Sequence, residues 1–518
     1  MLIKGIRRLA FVVGPALFVV LVIFLLYGRG PASFPFHGMG WTKNGYDGSS
    51  DGSRSRWPLQ DKLSLSGLGL HDMFDSHDGE GEGDAGAGGG ADMSETHIEV
   101  FSASTPNGKY FTIEFGDEEA INPSILPHPV LAETWIIVAQ QGRSGGSKNK
   151  SKGKGKGKGK SNGQSTSADH DEDESSDPSV WFTELVCDAV FVTPNKLACV
   201  RPPKILPIAA TTGDKCVDNL AYFALNVGPH DARVFYGPSS PYTVYGSNSA
   251  FTCFGQWIQD FRMLVEWPAD SHSDSNTNNN VAVKHDFRLA AELQRPGPYG
   301  PVEKNWFIFW DNVGDAYVHY DVAPKRAFAK LGGAGSVGPD LAPLAALSDQ
   351  QCLTGLMPPV AEQLESIHQA TNSLSITMCA RADLTCKPTE ANTYILTLFQ
   401  HKSFYQYHSV YEPYALLFKR SAPFEVHAVS AKPVWIHGRA KPGEAQRPDG
   451  PEFDGLDAWN QSEMFYLTAI SWKAHSQRYH GYLDDVLFLS FGIEDKRTGG
   501  IDVVAGDLLR DLNVCSSI

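Results

Sequence analysis

Gly228-Pro229-His230-Asp231-Ala232-Arg233-Val234-Phe235 follows a polar approach and runs into a strand-like stretch. Ala232 to Tyr236 and Tyr242 to Tyr245 flank the turn formers Gly237-Pro238-Ser239-Ser240, so the stretch opens a β-hairpin. On extended backbone, side chains two apart share a face. Asp231 and Arg233 are therefore expected side by side, a carboxylate next to a fixed cation in one cleft. The pair serves either as a proton-transfer site or as a buried ion pair, and the residues alone allow both. An adjacent arginine favours the ionised carboxylate, which suits a base better than a resting acid.

Outward from this hairpin, similar groups recur. Tyr110 to Phe115 and Trp135 to Gln140 read as strands around Asn122-Pro123-Ser124-Ile125, followed by Trp181 to Val192 and, beyond the hairpin, Trp257 to Trp267. A third group runs from Phe287 through Trp306-Phe307-Ile308-Phe309-Trp310 to Ala316-Tyr317-Val318-His319-Tyr320. A fourth holds Tyr394 to Phe399, Phe404 to His408, Tyr414 to Phe418 and Phe424 to Val429. The fifth holds Met464 to Ser471, Asp485 to Phe491 and Ile501 to Val504, with amphipathic Ala505 to Leu512 closing as a short helix. β-rich groups punctuated by Gly, Pro and Asp indicate an all-β domain, and a propeller closes such groups without long free edges.

Leu9 to Tyr27 carries no charge and is long enough to span a bilayer as a helix. Lys4, Arg7 and Arg8 precede it, which favours a cytoplasmic tail over residues 1–8 and a type II signal anchor over 9–27; the alternative is a cleaved signal peptide, for which Pro31-Ala32-Ser33 is a poor cleavage site and the apolar run is long. Residues 28–96, rich in Gly, Ser and Asp, read as a flexible stem, and residues 97–518 as a luminal domain interrupted by a low-complexity insertion at 142–178. This layout is that of a Golgi or endoplasmic-reticulum membrane protein. All eight cysteines follow the anchor, where an oxidising lumen permits disulfides. No Cys-x-x-Cys or zinc-spaced His cluster occurs, so they read as structural or free, and no metal or other cofactor is implied.

The chain has 518 residues and a formal charge of −15, with acidic residues concentrated in Asp72 to Asp92 and Asp169 to Asp177. The dense basic run Lys148 to Lys160 alternates with glycine and lacks aromatics, which excludes a nucleic-acid surface of the usual kind. Lys304, Arg262 and His319 are candidate cations for a phosphate or nucleotide diphosphate, or else solvated surface charges. Asp260 either binds sugar hydroxyls or pairs with Arg262. Of the neighbours Asp484 and Asp485, strand alternation turns only one inward. His408, Tyr411 and Glu412 form an aromatic and polar cluster; packing accounts for the tyrosine, and His408 stays open as a sugar ligand. Asn149-Lys150-Ser151 and Asn460-Gln461-Ser462 are N-glycosylation acceptors in a luminal setting.

Four ordered segments resemble the mannoside phosphorylase superfamily, which includes related β-mannosyltransferases. They are Asn122-Pro123-Ser124-Ile125, His230-Asp231-Ala232-Arg233 against that family's Glu-Asp-Pro-Arg, Glu303-Lys304-Asn305-Trp306, and His480-Gly481-Tyr482-Leu483-Asp484-Asp485 with Ser490-Phe491-Gly492-Ile493-Glu494-Asp495. The resemblance implies a five-bladed β-propeller over about Tyr110 to Leu512. It also implies Asp231 as the proton-transferring residue and Arg233 as a sugar or phosphate ligand, with one of Asp484 and Asp485 as a sugar ligand or second acid. The substitutions His230 and Ala232 leave the donor open. The functions implied are inverting mannosyl transfer from a nucleotide-sugar or sugar-phosphate donor to a glycan acceptor, a mannoside phosphorylase or hydrolase, or a glycan-binding propeller without catalysis.

Overall fold

The computed structural model describes residues 93–142, 180–268, 286–405, 408–447 and 459–515. The expected tail, anchor and nearly all of the stem and low-complexity insertion lie outside the described residues. Among those described, no helix is long and apolar enough to cross a membrane.

Five largely antiparallel groups of strands follow one another along the chain, the first and fifth continuous as one sheet through the parallel pairing of Phe111–Glu114 with Lys196–Cys199. The first contains Ala120–Pro127, Trp135–Gln141, Glu184–Thr193 and Lys196–Cys199, and the second His230–Tyr236, Pro241–Asn248, Phe254–Asp260 and Ala291–Glu292. Phe307–Trp310, Ala316–Asp321, Ala327–Leu331 and Val337–Asp340 make the third. The fourth is built on the long hairpin Thr393–Tyr405 and His408–Lys419 with Val426–Ser430 outside it; its inner strand is broken into Glu365–Gln369 and Leu374–Thr377. Phe465–Trp472, Val486–Ile493 and Arg497–Val504 form the fifth, completed by Phe111–Glu114 from the start of the domain.

Period-two patterning explains why the sheets close into a ring. In Trp135–Gln141, Trp135, Ile137 and Ala139 pack with Phe111 and Phe488 of the fifth sheet. Ile136 and Val138 point the other way, to Ala232, Val234 and Tyr245 of the second. Phe235 leaves that interface and joins Phe307, Phe309 and Phe418 in the core shared by the second, third and fourth sheets. Leu396 and Leu398 meet Leu467, Leu487 and Phe491 between the fourth and fifth. The inner strands are thus covered on both faces, so Phe307-Ile308-Phe309-Trp310 is a continuous apolar run rather than an alternating one.

Hydrogen bonds along the inner segments join four of the five neighbouring pairs, and the shared apolar core joins the second to the third. Val234 N–H donates to Ser124 Oγ at 3.3 Å, Ser373 Oγ donates to the Ile308 carbonyl at 2.7 Å, Ile470 N–H donates to Asn372 Oδ1 at 3.0 Å, and Thr468 Oγ1 donates to the Pro123 carbonyl. The described chain is an all-β propeller of five blades.

Three local expectations change. Trp257 to Trp267 is not one strand: Asp260 accepts the Arg262 N–H at 3.0 Å and caps a short 3-10 turn, Phe261–Met263. Tyr394 to Phe399 and Phe404 to His408 belong largely to one strand, because Gln400, His401, Lys402 and Ser403 find ladder partners in the sheet. The closing helix spans only Ala505–Leu508, and Leu512–Val514 instead adds a strand to the fourth sheet. A helix at Ala346–Leu356 was not expected from the pattern. All eight cysteines pair, as Cys187–Cys199, Cys216–Cys253, Cys352–Cys515 and Cys379–Cys386.

Candidate active site

Three inner strands are entered through a residue in the left-handed region: Asn122 at φ 56°, Asp231 at φ 52° and Asn305 at φ 62°. Short polar side chains tolerate that conformation better than bulky ones. At Asp231 the ladder shifts register between His230 and Arg233, a bulge that re-aims the side chain. The expected extended geometry, with Asp231 and Arg233 on one face by alternation, therefore does not hold; the two residues meet at the site through the bulge.

The consequence is a convergent polar cluster. Asn122 Nδ2 donates to Asp231 Oδ1 at 2.7 Å. Arg233 Nη2 donates to Asn305 Oδ1 at 2.5 Å, and Tyr466 OH donates to the same oxygen at 3.2 Å. Lys304 Nζ lies 5.5 Å from the centre of the Phe254 ring, and the His230 ring packs 3.9 Å from Phe182. His230, Asp231, Arg233, Gly246, Phe254, Gln256, Lys304 and Asn305 line a narrow pocket of about 10 Å³, about the room one water molecule needs. That is far below the roughly 300–1,000 Å³ of sites enclosing drug-sized ligands, so the pocket itself encloses no sugar ring and a glycan would meet the cluster from its open side.

Two further acids approach from the fifth blade, where Glu494 and Asp495 follow Val486–Ile493, also left-handed at φ 51° and 48°. Glu494 accepts the Met464 N–H at 2.6 Å and hydrogen-bonds His408 Nε2 at 3.2 Å. Burial alone would push the Asp231 carboxyl up, but Lys304, the Asn122 amide, His230 and Arg233 outweigh it and hold Asp231 below the ordinary aspartate value. Asp495 goes the other way: burial first, then the charges of Asp231 and Glu494, push it up to about 6 against Lys304 and His408. Both residues are half-buried. The cluster thus holds one ionised and one readily protonated carboxyl, an arrangement suited to acid–base chemistry.

Gly492 makes this geometry possible. A Cβ built there would lie 2.4 Å from Asn122 Oδ1. Gly492→Ala is expected to push the Asn122 amide off Asp231 and to cost about 1–3 kcal/mol, the usual range for overpacking. Thermal unfolding reads the cost, and the Asp231 carboxyl rises towards its ordinary value in the same variant.

Of the sequence candidates, Asp231, Arg233, Lys304 and His408 come together here. The others lie elsewhere. Asp260 sits opposite Tyr242, about 13 Å along the strand from Gln256 at the pocket end, and is held by Arg262 at 2.6 Å. His319 is fully buried between Phe307 and Phe328, with Arg326 Nε donating to it at 3.0 Å. Burial and the Arg326 charge hold it well below the ordinary histidine value, so it is a neutral core imidazole rather than a cation for a ligand. Asp485 pairs with Arg381 at 2.6 Å, and Asp484 accepts the Arg381 and Ala382 N–H groups. Both precede the strand that Asp495 follows, about 25 Å away at the other end.

Asn122, Asn305, Glu494 and Asp495 belong to the site although only their segments mark them in the sequence, and Tyr466, Gln140 and Glu184 carry no such mark. The available signal was an Asn or Asp just ahead of an apolar strand, the residue types that accept a left-handed entry. Among the described residues, no group of three or more His, Cys, Asp or Glu side chains could hold a metal ion.

No family model matches the chain, and no curated protein matches it. Solved structures similar to it include the catalytic domain of the Coprinopsis cinerea GH62 alpha-L-arabinofuranosidase, at 8% identity and TM-score 0.31 over 79% of this chain and 98% of that one. A thermostable family-43 glycoside hydrolase is similar at 8% identity and TM-score 0.29, over 78% of this chain and 92% of that one. Zg3597, a family 117 glycoside hydrolase from the marine bacterium Zobellia galactanivorans, is similar at 10% identity and TM-score 0.28, over 75% and 90%. Likenesses this distant carry neither the fold nor the chemistry, which rest on the hydrogen bonds and packing of the chain itself.

Proposed function

We propose that the chain is a glycan-active enzyme that makes or breaks a glycosidic bond at the pocket, with Asp231 as the proton-transfer residue. The observation that supports this reading is the split between Asp231, held ionised, and Asp495, held up to about 6, within one cluster. Glycosidic chemistry needs a base for the incoming hydroxyl, an acid or a stabilised anion for the outgoing group, and charge control at the anomeric carbon.

The finer reading is inverting mannosyl transfer by a membrane-anchored luminal enzyme of the Golgi or endoplasmic reticulum. The acceptor hydroxyl gives its proton to Asp231 as its oxygen bonds to the anomeric carbon. The donor's phosphate leaves with the bonding pair, and the Lys304 ammonium faces that negative charge. Asp495 supports a second reading, in which water, giving its proton to Asp231, or phosphate attacks the anomeric carbon of a mannoside while the glycosidic bond breaks and Asp495 protonates the leaving oxygen. A glycan-binding propeller without turnover is the third. Full-length chain incubated with a short mannoside alone, with inorganic phosphate, or with GDP-mannose or mannose 1-phosphate separates them by which mixture yields product.

The pH dependence follows from the same two groups. Asp231 loses its basic form only below the ordinary aspartate range. If Asp495 is the acid, turnover falls as pH rises through about 6, and Asp495→Asn abolishes that fall together with the activity. Stability has its own sign. A carboxyl raised on folding contributes stability that is present below its unfolded value and lost as pH climbs through about 6. Asp495→Asn is therefore expected to stabilise the protein above pH 6, by up to about 3 kcal/mol for a shift of about two units. Melting curves at acidic and mildly alkaline pH should show the variant's advantage only in the latter.

A further inference from the structure

A non-glycine residue in the left-handed region persists when its surroundings hold it there, and two side chains of the first blade grip the backbone at Asp231. The Asp231 N–H donates to Gln140 Oε1 at 3.1 Å, and the Ala232 N–H donates to Glu184 Oε1 at 3.1 Å. Gln140 and Glu184 face each other across the ladder between Trp135–Gln141 and Glu184–Thr193. The two acceptors therefore meet consecutive N–H groups of the neighbouring blade at its bulge. Glu184 is fully buried, and its Oε2 has no hydrogen-bond partner among the described residues. Burying a carboxyl for one N–H is an expensive way to fill a core, since a leucine would fill similar space without it.

We propose that Gln140 and Glu184 are a positioning pair that fixes the Asp231 bulge so that its carboxylate meets Asn122 and faces the pocket. The pair acts through Asp231 and touches no reacting atom, and its effect on rate rests on the reading of Asp231 as the proton-transfer residue. Burial, opposed by the Ala232 N–H and reinforced by the Asp231 charge, pushes the Glu184 carboxyl well above its ordinary value. The neutral acid keeps Oε1 as an acceptor without adding a second negative charge beneath Asp231.

The test uses full-length Glu184→Leu and Glu184→Gln, each alone and combined with Asp231→Asn, with Gln140→Leu in reserve should Glu184→Leu fail to fold. Glu184→Leu is expected to lower kcat about 100-fold with little change in KM, the scale of a misplacement of about 1 Å. It also moves the acid limb of the pH–rate profile up towards the ordinary aspartate range. Glu184→Gln, which keeps a carbonyl acceptor, recovers most of the loss, and Glu184→Leu costs no further rate once Asp231 is asparagine. Equal losses in Leu and Gln variants, or a lowered melting temperature with an unmoved acid limb, overturn the proposal.

If no substrate turns over, the same four proteins are read by melting temperature against pH. The low-pH loss of stability that Asp231 confers then shifts upward in Glu184→Leu, which supports the pair as a positioning device. An unshifted loss refutes it.

Discussion

Asp231→Asn is expected to lower turnover by about 10²- to 10⁴-fold, the range that a positioned proton-transfer group contributes. The amide keeps the size of the carboxyl and an oxygen for the Asn122 Nδ2 donor, which lies 2.7 Å from Oδ1. It loses the charge that Lys304 and Arg233 face and the ability to take a proton. The folded state should therefore survive with a modest loss, about 1–3 kcal/mol for a disturbed charged hydrogen-bond set. Asp485→Asn makes the matching control: it removes another aspartate carboxylate, paired with Arg381 at 2.6 Å, at the far end of the fifth blade. Turnover in that variant is expected to stay within severalfold of the parent, because no pocket residue depends on it. Steady-state rates of the two variants, with melting curves alongside, read the contrast directly.

Cutting the Cys352–Cys515 disulfide is expected to have the largest effect on stability. Its cysteines are 163 residues apart, against 7 for Cys379–Cys386. In the chain-entropy account the longer loop is worth about 5 kcal/mol and the shorter about 2 kcal/mol. The bond fastens the chain end, just after Leu512–Val514 joins the fourth sheet, to the helix Ala346–Leu356 that precedes that sheet. The helix is itself held there: Asp349 accepts the Val426 N–H at 2.8 Å and pairs with Arg326 at 2.9 Å. Losing the tether frees the terminal strand and thereby the outer edge of the fourth blade. Denaturant unfolding of Cys352→Ala/Cys515→Ala against Cys379→Ala/Cys386→Ala should show the first pair losing clearly more.

The blades were legible because their strands obey a simple rule. Phe307-Ile308-Phe309-Trp310 and Tyr414 to Phe418 are apolar on both faces, as strands sandwiched between two other sheets must be. The completion of the fifth blade by Phe111–Glu114 was not legible, since pairing between residues nearly 400 apart leaves no local trace.

The same division runs through the site. Asp231 stood out because carboxylate, arginine and strand entry lie together in sequence. Asp495 did not, since what raises its carboxyl is burial in the folded site and, after it, the charge of Asp231 on another blade. Asp484 and Asp485 drew notice instead, and only the direction of Val486–Ile493 tells which end of the strand faces the pocket. Alternation also misjudged Asp231 itself, because a bulge cancels the period on which alternation rests.

The central claim is that Asp231 moves a proton in glycosidic chemistry. Full-length chain and its Asp231→Asn variant, offered GDP-mannose or mannose 1-phosphate with short mannosides, and short mannosides alone with and without inorganic phosphate, test it most directly by product analysis. The account predicts product from the parent in at least one mixture and its near-complete loss in a variant that remains folded. Equal product from both proteins, or saturable mannoside binding by both with no product in any mixture, would contradict it.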